Sequence, residues 1–253
     1  MSNELILAIS GNDIFSGGGL HADLATYTTN KQHGFVAVTC LTAMTEHGFE
    51  VIPVDPTTFA QQLNSLKDVP FSAIKLGLLP NVEVADLALD YVKDHADIPV
   101  VLDPVLVCKE THDVEVSALR DELIKFFPSV TIITPNLPEA EILTQSKIQS
   151  LDEMKEAARK LHELGAANVV VKGGNRLNKE KAIDVFYDGQ DFTVFEEDVL
   201  EKNNTGAGCT FASSIASQLV QGKATLEAVK ASKDFVYQAI QKSDQYGVVQ
   251  YDQ

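Results

Sequence analysis

Short apolar runs recur along this sequence, each followed by a helix-length stretch, and that alternation constrains the fold more than any other feature. Residues 5–9, 35–39, 50–54, 73–76, 100–102, 130–133 and 169–171 read as strands. Residues 20–32, a stretch opened by Pro56 at its first turn, and residues 82–93, 116–127 and 151–164 read as helices. Strands that are apolar on both faces demand cover on both faces, which a mostly parallel sheet between two helical layers supplies. Residues 182–187 and 192–195 flank Asp188-Gly189, whose glycine supplies the positive φ of a tight turn, and they predict a hairpin. Two helices close the chain, one after Cys209 and one over 226–240. No Pro-, Gly- or Ser-rich linker divides the sequence. A single α/β domain over residues 1–253 is expected, with a long polar loop at about 104–115 serving as a lid.

At 253 residues the chain is long enough to bury a sizeable core. A formal charge of −16 argues against wrapping nucleic acid or adhering to an anionic membrane, and leaves room for a phosphate held by local donors. Cys40, Cys108 and Cys209 form neither a CxxC pair nor a Cys/His cluster, so neither zinc nor a disulfide framework is indicated. Met1-Ser2-Asn3-Glu4 runs straight into a five-residue apolar run, too short and too acidic for a signal peptide. No apolar run is long enough to span a bilayer, and a soluble cytoplasmic protein is expected.

In parallel α/β sheets, ligands bind beyond the carboxyl ends of the strands. The chemically able residues fall there: Asp13 after the first strand, Asp103 after Leu102, Asn136 after Ile133 and Lys172 after Val171. Asn203-Asn204-Thr205-Gly206-Ala207-Gly208-Cys209-Thr210 adds a glycine turn that feeds directly into a helix. Free amides at that helix start, with the positive end of its dipole, would hold an anion and favour a thiolate at Cys209. On these residues alone the stretch is equally a packing turn with Cys209 as buried filler. Ser16-Gly17-Gly18-Gly19 is a second glycine run, but it has neither the Walker Lys-Ser/Thr nor the GxGxxG spacing of the common nucleotide fingerprints.

Five ordered blocks span nearly the whole chain. They are Ser10-Gly11-Asn12-Asp13 through Gly19-Leu20-His21-Ala22-Asp23-Leu24, Asp103-Pro104-Val105-Leu106-Val107-Cys108-Lys109, Thr134-Pro135-Asn136-Leu137-Pro138-Glu139-Ala140, Val171-Lys172-Gly173-Gly174 and Gly206-Ala207-Gly208-Cys209-Thr210. In this order the chain resembles the vitamin-kinase branch of the ribokinase-like superfamily, which contains pyridoxal kinases and hydroxymethylpyrimidine kinases. The resemblance implies a three-layer α/β fold and ATP-dependent phosphorylation of a hydroxymethyl group. It implies Mg2+ with ATP, allows a monovalent cation, and implies a homodimer. The backbone of Gly206, Ala207 and Gly208 would hold the transferring phosphoryl group. Cys209 would act as base, position the substrate or add reversibly to an aldehyde.

The same resemblance places the substrate against Asp13, Gly17 and Met44, under a lid carrying Cys108 and His112. Glu110-Thr111-His112-Asp113 departs from the branch pattern, so His112 is equally an exposed loop histidine. ATP would meet Asn136, Glu139, Lys172, Gly173, Gly174, Asp184, Gly208 and Lys233. Asp103 and Glu139 would hold the metal, Glu139 through water, because hard oxygen ligands suit magnesium. Read without the resemblance, Glu139 is a solvated carboxylate at a helix start, and Lys172, Asp184 and Lys233 are surface charges. Cys40, ending a strand, reads as core.

Thr39-Cys40-Leu41-Thr42-Ala43-Met44 stands where hydroxymethylpyrimidine kinases carry T-A-L-T-A-Q, and Gly77-Leu78-Leu79 stands where they carry G-M-L. A thioether cannot reproduce the paired hydrogen bonds of an amide but packs well on a ring. Both departures favour pyridoxal, with hydroxymethylpyrimidine (phosphate) kinase of thiamine synthesis as the alternative. Cys209 in place of Asp disfavours a sugar kinase. A non-catalytic nucleotide or vitamin sensor is the alternative from another class, and intact Asn136, Glu139, Lys172 and Cys209 speak against it.

Overall fold

The computed structural model describes residues 4–106 and 113–251. The chain folds as two compact units, one formed by residues up to Asp103 with those from Lys202 onward, the other by Pro104–Glu201. The first opens with β1 (Leu5–Asn12), α1 (Gly19–Thr29), β2 (His33–Thr45), β3 (Gly48–Pro53), α2 (Pro56–Ser65), β4 (Ala73–Leu76), α3 (Val82–Lys93) and β5 (Val100–Leu102). The second holds α4 (Asp113–Ile124), β6 (Ile132–Ile133), α5 (Leu137–Thr144), α6 (Leu151–Glu163), β7 (Val169–Lys172), β8 (Lys181–Tyr187) and β9 (Phe192–Asp198). The chain then returns to the first unit as α7 (Ala207–Val220) and α8 (Thr225–Gln241).

In the first unit the strand order is β3-β2-β1-β4-β5. β1 runs parallel to β2 and β4, and β4 parallel to β5. Ile6, Leu7, Ala8 and Ile9 are consecutive and all fully buried, which requires cover on both faces of β1. α7 packs on β1, β4 and β5 and against α1 and α8, while α2 packs on β2 and α3. Pro56 opens α2, where its missing N–H costs nothing, and the Asp55 side chain caps the Thr58 amide. β2 runs well past the expected 35–39 and turns back antiparallel into β3, pairing Cys40 with Pro53 through Thr45 with Gly48. The extension was hidden because β3 is an edge: Leu41, Met44, Phe49 and Ile52 stay exposed, so no continuous apolar run marks it.

In the second unit the order is β6-β7-β8-β9, with β6 parallel to β7 and the remaining pairs antiparallel. The hairpin turns as expected at Asp188-Gly189: Gly189 has φ +92°, and the Asp188 carboxylate accepts the Gln190 and Asp191 amides at 2.9 and 2.8 Å. α6 is capped by Ser150 and buries Met154, Ala157, Ala158 and Leu161 on one face. The extent of α5 was not anticipated, although a helix start at Glu139 was. The helix is eight residues long with a proline in its first turn, too short to show a period. Of the residues expected in a lid, Cys108 and His112 lie outside the described residues. Among the described residues no helix is long and apolar enough to cross a membrane.

Candidate active site

Two clusters of the expected residues form, one in each unit. In the first unit, β1 ends in a loop that Asp13 organises. Its carboxylate accepts the Phe15 amide at 3.0 Å and the Gly18 amide at 2.9 Å, and its carbonyl accepts the Ser16 amide. This loop lies against the start of α7. Gly206 takes φ +84° as N-cap, and a Cβ there would collide with the Gly17 carbonyl, so only glycine fits. A Cβ on Gly17 would lie 2.7 Å from the Thr205 methyl. The point where a Gly18 Cβ would lie is 3.8 Å from both the Asp13 carboxylate and the Cys209 sulfur. Asp13, Gly17, Gly18, Gly206 and Cys209 are thus one constellation.

α7 makes its first helical bond from Thr210 to the Gly206 carbonyl, and Ala207 bonds back to Asn204. Gly208 and Cys209 are left as helix-start amides without an intrahelical acceptor, the arrangement that receives an anion. No side chain caps this helix start.

Beneath Cys209 lies a charged pair that the sequence reading missed. The Lys75 ammonium bonds both oxygens of Asp23, at 2.8 and 3.0 Å, and both side chains are 0% exposed. Ser213 on α7 donates to Asp23 at 2.6 Å, and Tyr27 donates to Ser213 at 3.3 Å. Burial alone would lower the Lys75 pKa, but Asp23, joined by Cys209, Asp103 and Tyr27, outweighs it and the group stays charged. The signal was a lysine inside the otherwise apolar strand Ala73-Ile74-Lys75-Leu76, which must have a buried partner.

This setting corrects the expected thiolate. Desolvation pushes the Cys209 thiol up to about 11; Lys75 works against this, while Asp23 and the 3%-exposed Asp103 add to it. The Gly19 N–H also pulls downward but is too weak to reverse the desolvation. Alkylation of Cys209 by iodoacetamide, followed by peptide mass spectrometry, should therefore rise about tenfold per pH unit from 7 to 10 without levelling. A plateau near pH 7 would show a stabilised thiolate instead.

Met44 is 60% exposed on β2, on the same face as Thr42, whose hydroxyl accepts the Ile14 amide of the Asp13 loop at 2.9 Å. Lys233 is half-buried on α8. Cys40 is fully buried, as expected of core.

In the second unit the strand ends bring Asn136, Glu139, Lys172, Gly173, Gly174 and Asp184 together. Asn136 bridges to Lys172, and Lys172 is paired with Asp184 across β7 and β8. Asn136 and Glu139 form a capping box on α5: the Asn136 side chain accepts the Glu139 amide at 3.0 Å, and the Glu139 carboxylate accepts the Asn136 amide at 2.8 Å. Glu139 is 4% exposed, so the reading of a solvated carboxylate is corrected. Asp184 is no surface charge either; it is buried and accepts the Gly173 amide at 2.9 Å. Gly174 takes φ +52°, and a Cβ on Gly173 would collide with the Ile183 carbonyl. Asp103 and Glu139 belong to different units, and among the described residues no three His, Cys, Asp or Glu side chains cluster as a metal site.

An uncapped glycine helix start beside a loop-held carboxylate, beyond the strand ends of an α/β sheet, is an arrangement suited to an anionic ligand such as a phosphate. The chain belongs to the phosphomethylpyrimidine kinase family, whose sequence model matches residues 13–252. It is 39% identical over 96% of its length to pyridoxine kinase of Bacillus subtilis, covering 92% of that protein. It is 35% identical to hydroxymethylpyrimidine/phosphomethylpyrimidine kinase of Aquifex aeolicus, covering 96% of each chain. The pyridoxal kinase from Staphylococcus aureus, solved in complex with AMP-PCP and pyridoxal, superposes with a TM-score of 0.90 at 33% identity, over 99% of this chain and 94% of that one.

Proposed function

We propose that this protein transfers the γ-phosphoryl group of ATP to the 5′-hydroxymethyl group of pyridoxal, giving pyridoxal 5′-phosphate. The observation that carries pyridoxal over a pyrimidine is Met44, which shares its strand face with the Thr42 hydroxyl that holds the Asp13 loop. A thioether offers a ring a polarizable surface, not a paired donor and acceptor. The relatives named pyridoxine kinase support the same substrate class.

Asp13 anchors the polar edge of the ring, its carboxylate already fixed by two amides. Asn136, Lys172, Gly173, Gly174, Asp184 and Lys233 serve the nucleotide. Asp103 and Glu139 are hard oxygen donors, and the buried, amide-held Glu139 fits a magnesium ion bound through water. That ion would supply positive charge to the phosphate oxygens. The substrate hydroxyl oxygen forms the new P–O bond as the bond to the β-phosphate breaks, and its proton passes to a phosphoryl oxygen or water. Charge on the equatorial oxygens falls to the Gly208 and Cys209 amides. A thiol held near 11 is protonated at neutral pH, so Cys209 shapes and positions rather than abstracts. The lid residues Cys108 and His112, a monovalent cation, a homodimer and a cytoplasmic location complete the proposal.

The test is ATP-dependent phosphorylation of pyridoxal and hydroxymethylpyrimidine side by side. Pyridoxal is the expected substrate, and Met44→Gln should move the kcat/KM ratio about tenfold toward the pyrimidine. Strong pyrimidine turnover by the parent, with little pyridoxal product, overturns the substrate assignment.

A further inference from the structure

The geometry points to residues 243–250, the segment that follows α8, as a strap that positions the phosphoryl-binding turn, with Asp244 and Gln250 as positioning residues. This rests on phosphoryl transfer at Gly206–Cys209. The strap begins in a closed turn. The Asp244 carboxylate accepts the Tyr246 amide at 2.7 Å and the Gly247 amide at 3.1 Å, and the Asp244 N–H donates to the Gly247 carbonyl. The Asn203 side chain, just ahead of the glycine turn, donates to the Asp244 carbonyl at 3.0 Å.

That turn lays backbone directly on backbone. A Cβ on Gly17 would lie 2.6 Å from the Tyr246 carbonyl, and a Cβ on Gly247 would lie 2.7 Å from the Thr205 carbonyl and 3.1 Å from the Gly17 Cα. Gly17, Gly206 and Gly247, from three distant parts of the sequence, therefore meet without room for a side chain. The chain then runs inward: Val248 donates to the Thr205 carbonyl at 3.0 Å, and Val249 to Ala239 at 3.1 Å. Gln250, 8% exposed, donates through Nε2 to the Thr210 hydroxyl at 3.0 Å.

The strap thus grips Thr205 and Thr210, the residues on either side of the four turn residues, of which Gly208 and Cys209 would hold the phosphoryl group with their amides. Those four include two glycines, which have no Cβ to restrict the backbone, and the helix start has no side-chain cap. Its direction has to be set from outside. A displacement of about 1 Å in a transition-state donor costs on the order of a hundredfold in rate.

The experiment measures kcat and KM, with ATP and whichever of the two alcohols the parent turns over, for Asp244→Ala, Asp244→Asn and Gln250→Leu. Asp244→Ala and Gln250→Leu should each lower kcat by about tenfold to a hundredfold, with KM for ATP within about threefold of the parent. Asn retains the side-chain carbonyl that accepts both amides, so Asp244→Asn should stay within about threefold of the parent in kcat. Unchanged kcat in Asp244→Ala and Gln250→Leu overturns the strap, as does an Asp244→Asn as damaged as Asp244→Ala. Hydrogen exchange on the unaltered protein reads the strap without variants. A non-hydrolysable ATP analogue with magnesium should slow exchange in residues 203–209 and 244–250 together. Protection of the turn alone, or of neither segment, overturns the inference. A parent that binds the analogue but phosphorylates neither alcohol sinks the functional reading instead.

Discussion

Gly208→Asp should abolish phosphoryl transfer while leaving the fold intact. Position 208 is the second residue of α7, where an acidic side chain favours the helix, so loss of stability is not the expected effect. The carboxylate would instead enter the space that the Gly208 and Cys209 amides offer to phosphate. One lost oxyanion donor costs on the order of 10²–10³ in kcat, and a fixed negative charge adds repulsion, so a fall beyond about 10³ is expected. The check is kcat with saturating ATP, beside the thermal midpoint of the same preparation. A variant that melts with the parent and keeps more than a tenth of its activity would show that the phosphoryl group sits elsewhere.

The second large effect is on stability. Asp23→Ala leaves the Lys75 ammonium fully buried with no carboxylate, and Ser213 loses its acceptor. Breaking a buried ion pair from one side costs about 3–5 kcal/mol, which for a chain of this size lowers the thermal midpoint by roughly 6–20 °C. The double variant Asp23→Leu with Lys75→Met removes both charges and should recover much of the loss. A single variant within about 1 kcal/mol of the parent would mean that water reaches the ammonium. Because Lys75 also acts on Cys209, the two variants separate the stability of the first unit from the setting of its thiol.

What could be read in the sequence follows from how far each signal reaches along the chain. β4, α3 and β5 were bounded correctly because apolar runs end at turn residues and Asn81 caps α3. Asp13, Asp103, Asn136 and Lys172 could be singled out because a parallel sheet puts its ligand side at strand ends, and strand ends are local features. Read without the family resemblance, Glu139 and Asp184 pass for solvated charges, but they are buried. Their burial depends on partners, the Asn136 amide capping a short helix for one and a glycine turn eleven residues away for the other. The Lys75–Asp23 pair spans 52 positions and the Ser213–Asp23 bond 190, separations at which no periodicity helps. The thiolate reading of Cys209 rested on its helix position, with a buried filler as the alternative. The desolvation that overrides the helix position is a tertiary property.

The first unit is discontinuous, and this has a consequence for biosynthesis. α7 covers β1, β4 and β5, yet it is translated only after the whole of Pro104–Glu201. At about 5–20 residues per second, the apolar face that α7 will cover stays open on the nascent chain for many seconds. Lys75 and Asp23 meet early, whereas Ser213 arrives last. The emerging protein thus holds an unfinished core during the time in which chaperones act, and it becomes competent for chemistry only as its final helices dock.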